Sequence, residues 1–193
     1  MTKNKIILIG AIRKGKTPNC GETMKNQLFI KRYKELFDEV KTVDTLNWQK
    51  RPWVLLKVVF IMLFNQKIGV ILSASASVRH LINFLYYVPI HRNVYFWVVG
   101  EGLSKGIDRG MFNVKALNKM KSILIQAQSM VEELEKRGLS NAKYVPNSKP
   151  ILYHPTIQPK IGKIYKFVFL SRVHPDKGIK EIAEASEMLR QKD

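Results

Sequence analysis

The sequence predicts an α/β fold, a Rossmann-like, doubly wound parallel sheet with helices on both faces. The first observation is a series of short apolar runs, each bounded by turn residues. The second is that stretches with helical periodicity lie between these runs, and strands alternating with helices are typical of a parallel sheet. The runs predicted as strands are Ile6–Ile9, Val40–Val43, Val70–Leu72, Val94–Val99, Ile123–Ile125, Lys143–Val145 and Phe167–Leu170.

Five stretches between the strands are predicted as helices, from apolar residues that recur every three or four positions or from a longer apolar run. The third ends before Pro89, because proline cannot continue a helix. In chain order the predictions are a helix from about Glu22 with Met24, Leu28, Phe29, Tyr33, Leu36 and Phe37 on one face, Lys50–Lys67, Val78–Tyr87, a helix with Ala127, Met130, Val131 and Leu134, and a helix with Ile179, Ile182, Ala183, Ser186 and Leu189.

Four prolines mark a change in organisation at Pro146, Pro150, Pro155 and Pro159. Proline at that density stops both helix and sheet. We therefore predict an N-terminal domain over residues 1–146, an interdomain crossing over 147–163, and the start of a second domain over 164–193. One strand, one turn and one helix cannot bury their own faces, so we expect either a second domain whose remainder is absent from this chain or an appendage docked on the first domain.

The chain is strongly basic, with 33 Lys and Arg against 15 Asp and Glu in 193 residues, a formal net charge of +18. Such an excess is typical of proteins that meet nucleic acid, anionic lipid headgroups or phosphate-bearing substrates. Nucleic acid is disfavoured, because the sequence has no basic patch interleaved with aromatic residues and no recognisable nucleic-acid module. The single cysteine, Cys20, excludes an internal disulfide and fits a reducing compartment.

A basic, glycine-containing loop follows the first strand and runs from Gly10 to Glu22. A glycine at the start of a helix, here Gly21, lets backbone amides approach an anion, and the helix dipole favours negative charge there. Arg13, Lys14 and Lys16 add positive potential. Because the spacing matches neither a dinucleotide fingerprint nor a Walker loop, the alternative is an ordinary strand–helix connection with solvated lysines.

A second candidate site follows the strand predicted at Phe167–Leu170. Arg172 stands at the carboxyl end of that strand, and Lys177 precedes a helix that starts near Gly178. Ligands of open α/β sheets bind beyond the carboxyl ends of strands, and a guanidinium fork with a mobile ammonium suits a diphosphate. In a reaction that expels a diphosphate, such cations stabilise the charge that grows on the leaving group. The alternative is a pair of solvated surface charges.

Three segments of the chain resemble those of retaining group 1 (family 4) glycosyltransferases, and in particular the bacterial capsular and exopolysaccharide enzymes. Phe169–Ile179 (Phe-Leu-Ser-Arg-Val-His-Pro-Asp-Lys-Gly-Ile) resembles the signature that opens their second domain. Pro18–Glu22 resembles their first-domain loop, with Cys20 in place of one usual glycine, and Val145–Asn147 resembles the motif that ends their first domain.

The resemblance implies two Rossmann-like domains, the GT-B fold, with the active site in the cleft between them. It implies a nucleotide diphosphate sugar as donor, transfer with retention, and no metal or further cofactor. The residues it implies for the donor diphosphate are Arg172, Lys177 and Gly21. The residues it implies for the supporting loops are Arg13, Cys20, Glu22, Gly100 and Gly102.

The chain departs from the family pattern in two places. The acidic pair that holds the donor sugar and ribose belongs further into the second domain than Asp193. We therefore expect residues 1–193 alone to bind a diphosphate weakly and to transfer no sugar. Many members also carry a histidine after a middle strand, where this chain has Gly100-Glu101-Gly102. Glu101 is thus a candidate catalytic residue, and the alternative is a solvated loop carboxylate.

The apolar Lys50–Lys67 segment is framed by cations and carries Trp53, Phe60 and Phe64. That pattern favours contact with the plane of an anionic membrane. The alternative is a buried crossover helix, and one helix can be both. Family members with lipid-linked acceptors dock on the membrane through this domain, which implies a cytoplasmic protein at the inner face of the plasma membrane.

The leading interpretation is a glycosyltransferase of polysaccharide biosynthesis acting on a polyprenyl-linked, membrane-bound acceptor. The second is a binding or assembly subunit that needs another chain for the nucleotide-binding half, or an inactive remnant. The third, a basic nucleic-acid-binding protein, lacks the required module. The sequence does not identify the donor sugar, the acceptor or the linkage.

Overall fold

The structure, a computed structural model, describes residues 4–18, 20–64, 67–74, 79–85, 87, 93–100, 102–147, 168–169 and 177–190. The chain separates into two compact units, residues 1–149 and residues 150–193. From residue 148 on, the predicted crossing over 147–163 lies outside the described residues.

The first unit contains a sheet of six parallel strands in the order β2-β1-β3-β4-β5-β6. The strand order reverses between β1 and β3, which are direct neighbours, so that pair marks the switch point of the sheet. The prediction of a Rossmann-like, doubly wound sheet is confirmed. The strands are β1 (Lys5–Gly10), β2 (Glu39–Asp44), β3 (Gly69–Ala74), β4 (Val94–Val98), β5 (Ser122–Ile125) and β6 (Ala142–Tyr144).

Among the described residues of the first unit, six helices accompany the sheet. Five of them contribute side chains to the core on one face, among them Val58, Ile82 and Leu134. The first helix packs on the opposite face, where the Phe29 and Trp97 rings lie 4.4 Å apart. The helices are α1 (Gly21–Leu36), α2 (Trp53–Phe64), α3 (Arg79–Leu85), α4 (Gly102–Asp108), α5 (Val114–Asn118) and α6 (Gln128–Lys136).

The alternation of side chains along β1 explains how one strand serves both faces. Ile7 and Ile9 point into the larger core, and Ile6 and Leu8 into the smaller one. Because successive side chains of a strand point to opposite faces, a strand covered on both sides reads as a continuous apolar run. That is why the six strand predictions for the first unit agree with the structure to within a residue or two.

The prediction of one helix over Lys50–Lys67 is wrong at its start. A 3₁₀ turn spans Trp48–Lys50, Arg51 leaves helical geometry with φ −141°, and α2 begins after Pro52. Proline disfavours helical geometry in the residue before it, so the helix starts beyond Pro52. Two residues predicted on the buried face of α1, Met24 and Leu36, are also exposed.

The second unit is described mainly through one helix, α7 (Ile179–Arg190). None of its residues is buried, and Ile182 and Leu189, which were predicted to form an apolar face, are exposed. Of the predicted strand Phe167–Leu170, only residues 168 and 169 are described, and neither of them belongs to a strand.

Candidate functional site

The loop after β1 is held in one conformation by the carboxylate of Asp44, the last residue of β2. Oδ1 accepts hydrogen bonds from the backbone N–H groups of Ile12 and Leu46, both at 3.0 Å, and Oδ2 accepts from that of Lys14 at 3.2 Å. Burial alone raises the pKa of Asp44, but these backbone donors outweigh it, so the pKa lies below its ordinary value. The carboxylate of Asp44, at the end of β2, therefore fixes the backbone of this loop.

Two amide side chains of α1 support the same loop from the other side. Gln27 donates through Nε2 to the carbonyls of Ile12, Arg13 and Lys16 at 3.0, 3.3 and 2.9 Å. Asn26, which is fully buried, donates to the Ala11 carbonyl at 2.9 Å. These contacts hold Arg13 in a left-handed conformation with φ 56°, which is uncommon for a residue other than glycine.

The lysines of this loop lie beside the middle of α1 and not at its N-terminus. Lys14 and Lys16 line a groove of about 480 Å³ together with Lys34 and Gln27. None of the three lysines forms an ion pair with a residue that the structure describes. The groove thus concentrates positive charge on the β2 side of α1.

The first residue of α1, Gly21, lies at the protein surface. Gly21 is exposed, and a Cβ built on it meets no atom within 4 Å. Cys20 caps the helix, and hydrogen bonds with the backbone and then the hydroxyl of Thr23 lower the pKa of the Cys20 thiol. Glu22 is half-buried, and burial raises the pKa of its carboxyl group.

Two segments that are far apart in the sequence, Pro18–Glu22 and Val145–Asn147, contribute residues to one cleft beside this helix N-terminus. The cleft measures about 350 Å³, and Gly21 and Glu22 line it together with Lys25, Val99 and Asn147. Because β4 and β6 are parallel to β1, their carboxyl ends reach the same edge of the sheet as the α1 N-terminus. Pro18–Glu22 and Val145–Asn147 are more than 120 residues apart in sequence, so the fold brings them together.

The loops after β4 and β5 border a second, smaller cleft. It measures about 280 Å³ and contains Gly100, Gln126 and, again, Asn147. Gly100 has φ 82°, and Gly102 begins α4. Sequence reasoning missed Gln126, whose Nε2 donates to the Val98 carbonyl at 3.1 Å. A polar residue directly after a buried strand was the available signal.

The remaining predicted donor-site residues are placed only in part. Lys177 is exposed and stands two residues before α7, and Gly178 has φ 71°. Arg172 and Glu101 lie outside the described residues. The predicted pairing of Arg172 with Lys177, and the predicted role of Glu101, stay predictions.

The helix α2 buries one side and exposes apolar residues on the other. Val54, Val58 and Met62 are buried, whereas Trp53, Phe60 and Phe64 are 61%, 65% and 72% exposed. Leu56 is 72% exposed, and the Phe60 and Phe64 rings are 4.7 Å apart. We call Trp53, Leu56, Phe60 and Phe64 the outer face of α2. Lys57 lies beside this face in a shallow groove.

Asp44→Asn is expected to destabilise the first unit by about 1–2 kcal/mol, because it removes the charge and the acceptor for Lys14 from a half-buried site. The folded pKa of Asp44 is depressed. Its contribution is therefore complete above the ordinary aspartate pKa of about 3.9 and is lost as the pH falls through the folded pKa. Urea unfolding at several pH values should show the two proteins converging below about pH 4.

The matched control is Asp38→Asn. Asp38 accepts one backbone hydrogen bond at an exposed position, from Asn4 at 2.9 Å, so we expect little change in stability. A gap between wild type and Asp44→Asn that stays constant down to pH 2 would contradict the role given to the Asp44 charge.

No three His, Cys, Asp or Glu side chains in the described ranges are grouped as metal ligands are. Within the same ranges, no helix combines the length and the apolar character needed to cross a bilayer. Comparison with protein-family models, with curated proteins and with solved structures finds no match to this chain.

Proposed function

We propose that this chain carries the acceptor-side domain of a glycosyltransferase that takes a nucleotide diphosphate sugar as donor and works on a lipid-linked acceptor at an anionic membrane surface. The observation that carries the proposal is the cleft at Gly21, Glu22 and Asn147. Two segments that separately resemble the same family line one cleft, at the sheet edge where open α/β proteins bind their ligands.

The donor diphosphate is assigned to Arg172 and Lys177, whose guanidinium and ammonium groups interact more strongly with it as it departs. In the first unit, backbone N–H groups and the helix dipole make the α1 N-terminus at Gly21 a second place that attracts an anion. This assignment leaves the catalytic residue open, with Glu101 as the candidate.

The acceptor side is assigned to the membrane-facing part of the domain. Trp53, Phe60 and Phe64 enter the interfacial region of the bilayer, while Lys50, Lys57 and Lys67 meet anionic headgroups. All three lysines are exposed. A peripheral protein of this kind reaches a polyprenyl-linked acceptor without a helix that spans the bilayer. It works at the cytoplasmic face, where nucleotide sugars are found.

The donor assignment is tested by titrating the purified chain with nucleoside diphosphates and observing ligand resonances by NMR. We expect binding on the order of millimolar, because two charge-assisted contacts in a wet site contribute only a few kcal/mol. The free nucleoside should not bind. The double variant Arg172→Ala with Lys177→Ala should lose the binding.

Lys180→Ala is the matched control, since Lys180 is an exposed lysine of α7 whose Nζ lies 3.7 Å from Glu184 Oε1. It should bind as wild type does. Binding that persists in the double variant would show that the diphosphate does not bind at Arg172 and Lys177. Absence of binding by any nucleoside diphosphate would contradict the donor class itself and favour a subunit that obtains its nucleotide half from another chain.

A further inference from the structure

An apolar cavity of about 250 Å³ lies beneath α2. Its walls come from β1 and β3 on one side and from α2 and α3 on the other. Eleven residues line the cavity, and most of them are apolar. They are Ile9, Thr45, Trp48, Leu55, Val58, Val59, Leu72, Ala74, His80, Leu81 and Phe84. The cavity is partly open to solvent, and we call the part of its lining at the exposed residues His80 and Phe84 its mouth.

The cavity differs from the clefts described above in its lining, which is almost entirely apolar, and not in its volume. Water gains little by entering a space without polar partners, and an apolar cavity of roughly 150 Å³ is known to stay dry and to take up benzene. The cavity beneath α2 is larger, and its lining is mostly hydrocarbon, so its complement is an apolar ligand.

The position of the cavity points to a substrate and not to a packing defect. Ile9, Leu72 and Ala74 belong to the carboxyl halves of β1 and β3, the two strands that flank the switch point. Ligands of open α/β sheets bind at that place. The roof of the cavity is α2, with Leu55 and Val59 below and the exposed outer face above. A lipid chain that leaves a membrane at α2 therefore has a short path into the cavity.

A positive charge stands next to the mouth of the cavity, on a residue that does not itself line it. The Arg79 guanidinium donates through Nε to His80 Nε2 at 3.2 Å. No Asp or Glu lines the cavity, and Arg79 forms no ion pair with any residue in the described part of the chain. This arrangement suits a ligand with an apolar body and an anionic phosphate at one end.

We propose that the cavity beneath α2 binds the first isoprenoid units of a prenyl phosphate, with the phosphate beside Arg79 and His80. The choice of an isoprenoid chain rests on the proposed lipid-linked acceptor. The cavity and the charge beside its mouth are independent of that proposal. The inference gives the domain two separate contacts with lipid, the outer face of α2 with the bilayer and the cavity with one acceptor molecule.

The test is a titration with farnesyl diphosphate, farnesol and palmitate, each below its aggregation limit, followed by Trp48 fluorescence. The protein carries Trp53→Phe, which removes the other tryptophan of this region, while Trp97 lies on the opposite face of the sheet. We expect farnesyl diphosphate to bind at least tenfold more tightly than palmitate. Arg79→Gln should bring farnesyl diphosphate and farnesol to similar affinity.

Two variants fill the cavity from different sides, Ala74→Leu from the sheet and Val59→Phe from α2. Each is expected to weaken farnesyl diphosphate binding at least tenfold while thermal unfolding shows a folded protein. Two variants are used so that one remains informative if the other fails to fold. Binding that persists in a folded, filled variant would overturn the site, and palmitate binding equal to or tighter than that of farnesyl diphosphate would overturn the isoprenoid assignment.

Phe60→Glu separates this inference from the proposed membrane contact. It changes the outer face of α2 and leaves the cavity lining intact, so it should lose vesicle binding and retain farnesyl diphosphate binding. Ala74→Leu should do the reverse. Intact nucleoside diphosphate and vesicle binding without any farnesyl diphosphate binding would overturn the cavity assignment alone. Farnesyl diphosphate binding without any nucleoside diphosphate binding would overturn only the proposed donor.

Discussion

Glutamate at positions 53 and 60 is expected to lower the affinity of the protein for anionic vesicles by about 100-fold or more. Trp53 and Phe60 are 61% and 65% exposed on the outer face of α2. Burying one such aromatic side chain in an apolar phase contributes about 1.5–3 kcal/mol, and every 1.4 kcal/mol or so is a factor of ten in affinity. The added carboxylates are also repelled by anionic lipid. Sedimentation with phosphatidylglycerol vesicles measures the change.

The matched control places glutamate at Leu36 and Tyr144, which are 57% and 48% exposed on α1 and β6. This double variant has the same change in net charge as the α2 variant but leaves the outer face of α2 intact, so only the general charge effect should remain. Raising the salt concentration should weaken wild-type binding, because ions screen the exposed lysines around α2. Equal binding to neutral and anionic vesicles would show that electrostatic attraction does not contribute to binding. Undiminished binding by a folded α2 variant would show that α2 does not contact the membrane.

The two sides of α2 show where sequence reasoning reaches its limit. A helix that is apolar on nearly all sides has no polar stripe to indicate which side faces solvent. The sequence therefore left a buried helix and an interfacial helix as alternatives. The structure shows that Val58 is fully buried while Phe60, two positions on, is exposed. Only the packing of the helix against the sheet distinguishes the two sides.

The strands were predictable because burial on both faces leaves continuous apolar runs, as in β1. The short helices α4 and α5 were not predicted. Seven and five residues give too few turns for a periodic pattern, and two glycines, Gly102 and Gly106, lie within α4. Gly106 is suited to that place because a Cβ would lie 2.7 Å from the Phe112 ring.

The contacts that shape the candidate site could not be predicted from sequence. Asp44 binds the backbone of Ile12 across 32 positions of the chain, and Ser73 donates to Asn26 across 47. Such pairs have no spacing that a local pattern can reveal. The sequence offered the segments at Gly21 and at Asn147 as separate candidates, and the fold was needed to place these two residues in one cleft.

Gly10→Ala is expected to destabilise the first unit by about 3 kcal/mol or more. Gly10 ends β1 at the switch point, where a Cβ would lie 2.5 Å from the Ser73 carbonyl oxygen and 2.8 Å from Asn26 Nδ2. The first of these atoms is backbone of β3, and Asn26 is fixed because it accepts from the Ser73 hydroxyl at 2.5 Å and donates to the Ala11 carbonyl. Neither neighbour can move without breaking a buried contact, and overpacking of a core costs about 1–3 kcal/mol even where side chains can yield.

Thermal unfolding measures the effect, since 1 kcal/mol corresponds to roughly 2–4 °C in a protein of this size and the expected fall in Tm is therefore roughly 6–12 °C. The matched control is Gly21→Ala, eleven residues further along. A Cβ there meets no atom within 4 Å, and alanine favours a helix over glycine by up to about 1 kcal/mol. Gly21→Ala should therefore leave Tm unchanged or raise it slightly. If Gly10→Ala unfolds at the wild-type temperature, β1 and β3 do not approach each other as closely as described, and the Asn26–Ser73 contact cannot hold the loop at the switch point.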